Sequence, residues 1–441
     1  MRRSRKKTGR NFCTGIYKQL GEYCMRIDRL RLINFRGFEE FETDFHPKFN
    51  VIIGINGAGK TGVLEGICTA IGSVFVSDRS VQEDDIRVVS YEYSIESQFP
   101  VQVEFHGRIR DQKLKWSKTL AGTDRRTITG NAEPLTALLD KIKKGVMAGK
   151  SDNLPLIVSY PAERFRKVRR DRDALHEKAD IGTLPRGSRL RGYDHWLNPD
   201  SGNSIFIKWF KTQELAALQR QKESPEIEVV RKAVSNCIAD CENIFFDVRE
   251  DALMIKFRDR RILPFDLLSH GVRNMLATVG DMAFRCVMLN PHLGENAAIR
   301  TSGIVLIDEI DLHLHPAWQR KVVRDMKSTF PEIQFIAATH SPLILSNTED
   351  RVITIENGRS YRAGHTYGRD VNSLLKQVMG TEERPEIVQE ALTYYFELIE
   401  TGEGRTREGL KLRKRLEDMV GADDPELARA DVSIAFFEGV L

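Results

Sequence analysis

The residues with the plainest chemistry are Gly54-Ile55-Asn56-Gly57-Ala58-Gly59-Lys60-Thr61, which follow directly on the apolar run Val51-Ile52-Ile53. Their spacing, G-x-x-x-x-G-K-[ST], describes a phosphate loop. Glycines let backbone N–H groups close on phosphate oxygens, the lysine reaches the β- and γ-phosphates, and the hydroxyl ligates Mg²⁺. On that basis Asn56, Gly57, Gly59, Lys60 and Thr61 are expected to bind nucleotide. A second segment, Ile304-Val305-Leu306-Ile307-Asp308-Glu309, reads as an apolar strand ending in two adjacent carboxylates. Asp308 is suited to hold Mg²⁺ together with Thr61, and Glu309 to polarise a water. The two segments together predict a nucleoside triphosphatase that uses Mg²⁺.

Three neighbouring motifs narrow this. Leu268-Ser269-His270-Gly271 precedes an amphipathic helix with Val272, Met275, Leu276, Val279 and Met282 on one face. A serine and a glycine at a helix N-terminus form a second phosphate clamp, from hydroxyl, N–H groups and helix dipole. Two clamps in one chain are redundant unless one serves a neighbouring copy's nucleotide; the bland alternative for Ser269 and Gly271 is a plain helix N-cap. Asp308-Glu309 runs on into Ile310-Asp311-Leu312-His313-Leu314-His315-Pro316, a turn placed to meet a facing subunit, although His313 and His315 also have the spacing of a metal pair. The run Ile333–Ala338 ends at Thr339-His340-Ser341, which would set the His340 imidazole beside the γ-phosphate.

The elements that must position these groups follow from periodicity. Strand signals at 26–34 and 49–53 flank a turn-rich stretch, with Met25-Arg26-Ile27-Asp28-Arg29-Leu30-Arg31-Leu32 read as alternating apolar and polar. The phosphate loop opens a helix with Val63, Leu64, Ile67, Ile71, Val74 and Phe75 along one face. Val101–Phe105 and Leu114–Ser117 read as further strands, and the strands near 304–307, 333–338 and 352–355 alternate with helices as in a parallel α/β core. The expected organisation is a basic leader (1–24), an N-terminal part of the nucleotide-binding unit (25–118), a mainly helical insertion (119–260), a C-terminal part (261–367) and a helical tail (368–441). No heptad run marks a long coiled coil.

Composition excludes several classes. At 441 residues, 41% hydrophobic and 29% charged, the chain is an ordinary globular one, and no apolar run approaches the ~20 residues of a membrane span. Cys13, Cys24, Cys68, Cys237, Cys241 and Cys286 are scattered, as in a reduced cytoplasmic protein. Cys237 and Cys241 sit four apart on an expected helix without a second ligand pair nearby, which disfavours zinc. The net charge of +4 is concentrated in residues 1–24, whose balance is +6. That leader reads either as an anionic-surface arm or, the favoured reading, as an upstream start with Met25 the true first residue. Overall charge therefore does not argue for DNA binding. A local cluster does raise it: Arg164, Arg166, Lys167, Arg169, Arg170 and Arg172, then Arg186, Arg189 and Arg191, is either a solvated face or a contact to nucleic-acid or partner phosphates.

The ordered set of motifs resembles the ABC-type ATPases of the SMC/RecF group, over nearly the whole chain from Met25. The resemblance implies a P-loop ATPase head with a β-rich subdomain. It makes Gly54–Thr61 the Walker A loop, Leu268–Gly271 the signature, Asp308 the Walker B carboxylate, Glu309 the catalytic base, Asp311–Pro316 the D-loop and His340 the switch histidine. In Asn34-Phe35-Arg36-Gly37-Phe38 it implies that Arg36 touches phosphate. No residue matches the Q-loop cleanly; Gln82, Asp84 and Asp85 are in range. Ser159–Arg164, Trp209-Phe210-Lys211, Asp281-Met282-Ala283-Phe284-Arg285, Leu289-Asn290-Pro291, Leu314–Gln319 and Tyr367–Asn372 narrow the resemblance to the bacterial "predicted ATP-binding protein involved in virulence" family. That family includes the PtuA-type ATPases of Septu and retron-linked anti-phage systems, in which the ATPase is paired with an effector, often an HNH nuclease.

The resulting expectation is a homodimer that sandwiches two ATPs, or a higher oligomer built from it, acting as a switch for an effector nuclease on a separate chain. The sequence itself carries no nuclease signature. The alternative is a RecF-like DNA-binding repair ATPase without a dedicated effector. In the tail, Leu410, Leu412, Leu416, Met419 and Val420 form an apolar stripe ahead of an apolar chain end, which either packs on its own head or forms an oligomer or effector surface.

Overall fold

The computed structural model describes residues 25–72, 80–110, 112–123, 125–162, 187–197, 199–222 and 224–437. The chain divides into two compact units, Met1–Arg369 and Asp370–Leu441.

The first unit is built on two large sheets. A six-stranded sheet runs in the order Arg359–Arg362, Arg351–Glu356, Phe49–Ile53, Ile333–Ala338, Gly303–Ile307, Leu156–Tyr160. Its first pair is antiparallel and every other pair parallel. The three central strands are buried at every position, which is why they read as continuous apolar runs rather than as alternation. A five-stranded antiparallel sheet orders Phe38–Asp44, Met25–Phe35, Val101–Ile109, Gln112–Leu120 and Ile128–Gly130. Here one face is buried: Val101, Val103, Phe105 and Ile109 point inward.

The Lys60–Ile71 helix is packed against the antiparallel sheet and against the Ile333–Ala338 strand. It is buried along most of its circumference, more than a single amphipathic face would require. A Cβ on Gly66 would lie 2.7 Å from Leu32 Cδ2, so glycine sets how closely helix and sheet approach. The Trp116 indole N–H donates to the carbonyl of Ala70 at 2.9 Å. Val74 and Phe75 lie outside the described residues.

Two local readings are revised by the fold. The Met25–Phe35 strand does not alternate cleanly. Asp28 and Arg29 are consecutive polar residues, and the register shifts between Ile27 and Arg29, a bulge that restores the inward set of Leu30 and Leu32. At this irregularity the buried Gln334 carboxamide accepts from Ile27 N (2.7 Å) and donates to Ile27 O (2.8 Å), joining the two sheets. The stretch 119–260, read as mainly helical, also supplies Leu156–Tyr160, a parallel strand beside Gly303–Ile307. It further holds Cys241–Asp247 and Ala252–Phe257, two strands of a separate three-stranded sheet. A five-residue apolar run carries no periodicity that separates a buried strand from a buried helix turn. Cys237 closes one helix and Cys241 opens a strand, so they do not share a helix face. Both thiols are pushed up by burial, to about 12 and about 11.

The second unit contains Val371–Gln377 and three longer helices, Glu386–Glu400, Arg407–Val420 and Pro425–Phe437. Its core is Val388, Leu392, Tyr395, Ile399, Leu416, Leu427, Ala430 and Ile434, with Leu412 and Val420 packed alongside. Leu412, Leu416 and Val420 share one helix face by i,i+4 spacing; Leu410 and Met419 lie off that line and are exposed. Arg384 holds Asp424 through two hydrogen bonds of 2.9 and 3.0 Å.

Candidate functional site

The site begins at the carboxyl end of the Phe49–Ile53 strand, where open parallel sheets place their ligand crevices. Gly57 (φ 79°) and Gly59 (φ 101°) are left-handed, and the loop they shape opens the Lys60–Ile71 helix with Gly59 as its N-cap. No side chain caps that helix end; the backbone N–H groups of its first turn are the donors the phosphate-loop reading needs. Gly59 has a second requirement. A Cβ there would fall 2.4 Å from Phe38 Cζ, so the ring that follows Asn34–Gly37 seats the loop from below.

Lys60 is 8% exposed, and its ammonium donates to the carbonyls of Gly54 (3.0 Å) and Ile55 (3.1 Å). Burial lowers its basicity, opposed by the carboxylates of Asp308, Glu309 and Asp311, in that order. The lysine thus faces the acidic corner. The Thr61 hydroxyl donates to Asp308 Oδ2 at 2.7 Å. A hydroxyl and a carboxylate oxygen in hydrogen-bond contact form a hard oxygen pair, the donor type that suits Mg²⁺ with its retained waters.

Asp308 is held from several sides. Its N–H donates to Tyr160 O (2.8 Å), and its Oδ1 accepts from the N–H of Glu309 (3.1 Å). Glu309 has φ 48°, an uncommon left-handed conformation for a residue with a side chain, which turns the chain sharply off the strand. Such backbone outliers gather at functional sites. Ile310 N then donates to Ala338 O (3.0 Å), and the Thr339 hydroxyl donates to Asp311 Oδ1. The acidic corner and the Thr339-His340-Ser341 turn are therefore one structure. Thr339 N in turn donates to Ile52 O on the phosphate-loop strand (3.1 Å). His340 is half-buried, and Ser341 caps the short helix after it and donates to Gln319 Oε1 at 2.7 Å.

Ser269 and Gly271 are placed differently. Ser269 is the N-cap of the His270–Leu289 helix, yet its side chain makes no capping hydrogen bond and is exposed. Gly271 is buried, and a Cβ there would lie 2.4 Å from the backbone oxygen of His313. Asn274 donates to Leu312 O (3.2 Å), and the His270 and His313 rings lie 5.4 Å apart. The helix start is thus seated on the Asp311–Pro316 turn, and among the described residues no hydrogen bond ties it to the phosphate loop. His315 accepts from Ala317 N.

Arg36 (φ 51°) donates through Nε to Asp85 at 2.9 Å, and Asp85 is fully buried. Asp85 also closes a reciprocal hydrogen-bonded turn with Gln82, so of the Q-loop candidates it is the one that anchors Arg36. Arg164, Arg166, Lys167, Arg169, Arg170, Arg172 and Arg186 lie outside the described residues. Arg189 and Arg191 are engaged structurally: Arg189 donates to Leu289 O and Lys150 O, and Arg191 to Asp194. No cluster of three or more potential metal-ligating side chains occurs among the described residues, and no helix there is long and apolar enough to cross a membrane. Sequence reasoning missed the seat that Phe38 gives the loop and the Tyr160 carbonyl, and it left Asp85 as one of three Q-loop candidates. Phe38 had a signal in its place beside Arg36.

Residues 49–346 match the family model described as "AAA domain, putative AbiEii toxin, Type IV TA system". The chain is similar to the "Retron Vc95 probable ATPase" of Vibrio cholerae serotype O1 biovar El Tor, 24% identical over 88% of this chain and 86% of that one. It is also similar to the "Septu protein PtuA" of Bacillus thuringiensis, 24% identical over 84% and 88%. Among solved structures it resembles the Smc head domain with an extended coiled coil from Pyrococcus furiosus, with TM-score 0.46 and 17% identity over 77% of this chain and 96% of that one. With its phosphate loop, its acidic strand end and four of the six strands of the core sheet inside the matched span, the chain belongs to this family of AAA-domain ATPases.

Proposed function

We propose that this ATPase is a nucleotide-driven switch of bacterial anti-phage defence. Two copies close around two ATPs, and the closed state is read by an effector on a separate chain, an HNH-type nuclease. The observation that carries the two-copy reading is the unequal state of its two phosphate clamps. The phosphate loop is bonded into the acidic corner, while the exposed Ser269 hydroxyl is bonded to nothing among the described residues. A helix N-terminus so presented suits the γ-phosphate on a facing copy, and reciprocity gives an isologous pair. The retron and Septu names of the relatives support the defence context.

In the proposed reaction a water oxygen attacks the γ-phosphorus in line as the bond to the β-bridging oxygen breaks, leaving ADP and phosphate. Glu309 orients this water and takes its proton. Lys60 and His340 of one copy and Ser269 of the other hold the developing charge, and Arg36 and Asp311 complete the nucleotide contacts. Thr61 and Asp308 would hold Mg²⁺, which would supply charge neutralisation at the phosphates.

The test is the Glu309→Gln variant, which keeps the shape of the side chain but not its basicity. ATP with Mg²⁺ should raise its mass in light scattering to a stable closed assembly, with turnover lost. A mass that ATP leaves unchanged overturns the two-copy reading, and retained turnover overturns the role of Glu309.

A further inference from the structure

Two stretches that the phosphate chemistry does not use, Ser159-Tyr160 and Asp281–Arg285, meet inside the first unit. Asp281 and Arg285 lie one turn apart on the His270–Leu289 helix and are 0% and 2% exposed. Arg285 Nε donates to Asp281 Oδ2 at 2.7 Å. Arg285 Nη1 donates to Gly192 O (3.0 Å) and Asp194 O (2.9 Å). Asp281 Oδ2 also accepts the Tyr160 hydroxyl at 2.8 Å.

A buried ion pair is a poor way to gain stability. Desolvation costs several kcal/mol per ion, and apolar residues of the same volume often serve as well or better. What such a network does supply is direction, because each hydrogen bond fixes one partner against another. Tyr160 is the last residue of its strand, and its carbonyl receives the N–H of Asp308. Asp281 sits three turns along the helix that Ser269 caps. The path from Ser269 to Asp308 is therefore one rigid helix, one buried carboxylate, one tyrosine and one backbone hydrogen bond. Burial, with Asp281 beside it, pushes the Tyr160 hydroxyl well above its ordinary range, so it is a permanent donor.

We propose that Tyr160, Asp281 and Arg285 are positioning residues that lock the Ser269 helix to the Asp308–Glu309 corner, so that seating a phosphate at Ser269 sets the hydrolytic carboxylates. This rests on the two-copy reading above. Two of the three groups stand on the helix that would feel the facing copy's nucleotide, and the third holds the backbone of the carboxylate beside Thr61. The same geometry explains why Arg285 reaches the carbonyls at 192 and 194: they brace the guanidinium, which fixes Asp281, which fixes Tyr160.

The experiment uses Tyr160→Phe and the apolar pair Asp281→Leu with Arg285→Met in the full chain. In Tyr160→Phe, kcat should fall between about tenfold and a hundredfold, the loss that small misplacement of reacting groups produces. KM, the Kd for a fluorescent ATP analogue and Tm should stay near wild type. The apolar pair should keep or exceed wild-type Tm while kcat falls as in Tyr160→Phe. Wild-type kcat in Tyr160→Phe overturns the proposal, and so does wild-type kcat in the apolar pair, since the network would then be only structural. If the apolar pair does not fold, Tyr160→Phe decides alone. Failure of the two-copy reading is seen separately, as ATP-independent mass in Glu309→Gln, whatever Tyr160→Phe does.

Discussion

At the phosphate loop, Thr61 is bonded to Asp308 and Lys60 to two loop carbonyls, whereas at the start of the His270–Leu289 helix the Ser269 hydroxyl is exposed and uncapped. Yet that helix is not loosely held. Gly271 touches the His313 carbonyl, Asn274 bonds to Leu312, and Asp281 and Arg285 are buried in a network. At the loop the lysine and threonine side chains have partners within the chain. The helix has a rigid scaffold that ends in an unsatisfied tip. This contrast is what the proposed shared site rests on, more than on either motif alone.

The largest effect should come from the loop itself. Lys60→Ala removes the cation that faces the acidic corner, and nucleotide affinity should drop by about two orders of magnitude or more, given about 3 kcal/mol lost from charge-assisted hydrogen bonds. Titration with a fluorescent ATP analogue measures it; near-normal affinity would remove Lys60 from the phosphate site. Ser269→Arg tests the other tip. A single copy should bind ATP within about twofold of wild type, while ATP-dependent association is lost in sedimentation. Association that persists would reduce Ser269 to a helix cap. The smallest effect belongs to the brace. Gly271→Ala forces a methyl toward the His313 carbonyl and should cost about 1–3 kcal/mol of stability, as overpacking does. A Tm equal to wild type would mean the helix and the turn are not in close contact.

Local chemistry was legible in the sequence and long-range geometry was not. Gly54–Thr61 and Asp308-Glu309 show themselves because phosphate binding demands particular residues at fixed short spacing. The parallel core followed from alternating strand and helix signals, and the structure has it. The Leu156–Tyr160 strand was lost inside a stretch read as helical, because a five-residue apolar run fits either state. The bulge at Ile27/Arg29 was hidden for a related reason: Asp28 and Arg29 look like noise in an alternating pattern until a neighbouring strand shows the shift. Tyr160 and Asp281, 121 residues apart, give no sequence sign that they touch. Asp85 stood among three candidates, and only its burial against Arg36 separates it from Gln82 and Asp84.

The strand order has a consequence for how the chain reaches this state. Phe49–Ile53, wholly apolar except for Asn50, lies between Ile333–Ala338 and Arg351–Glu356. Asn50 donates to Phe335, a partner 285 residues away. During synthesis this strand and its loop emerge early, then wait for most of the chain before either neighbour exists. Parallel pairing across such separations is slow, and an apolar strand with unmade backbone bonds is open to wrong partners meanwhile. The strands of the antiparallel sheet all lie within residues 25–130, and their shorter separations favour that sheet, with the Lys60–Ile71 helix packed on it, forming first. On that order, competence to handle nucleotide is expected as one late event, when the strands around 333–356 arrive.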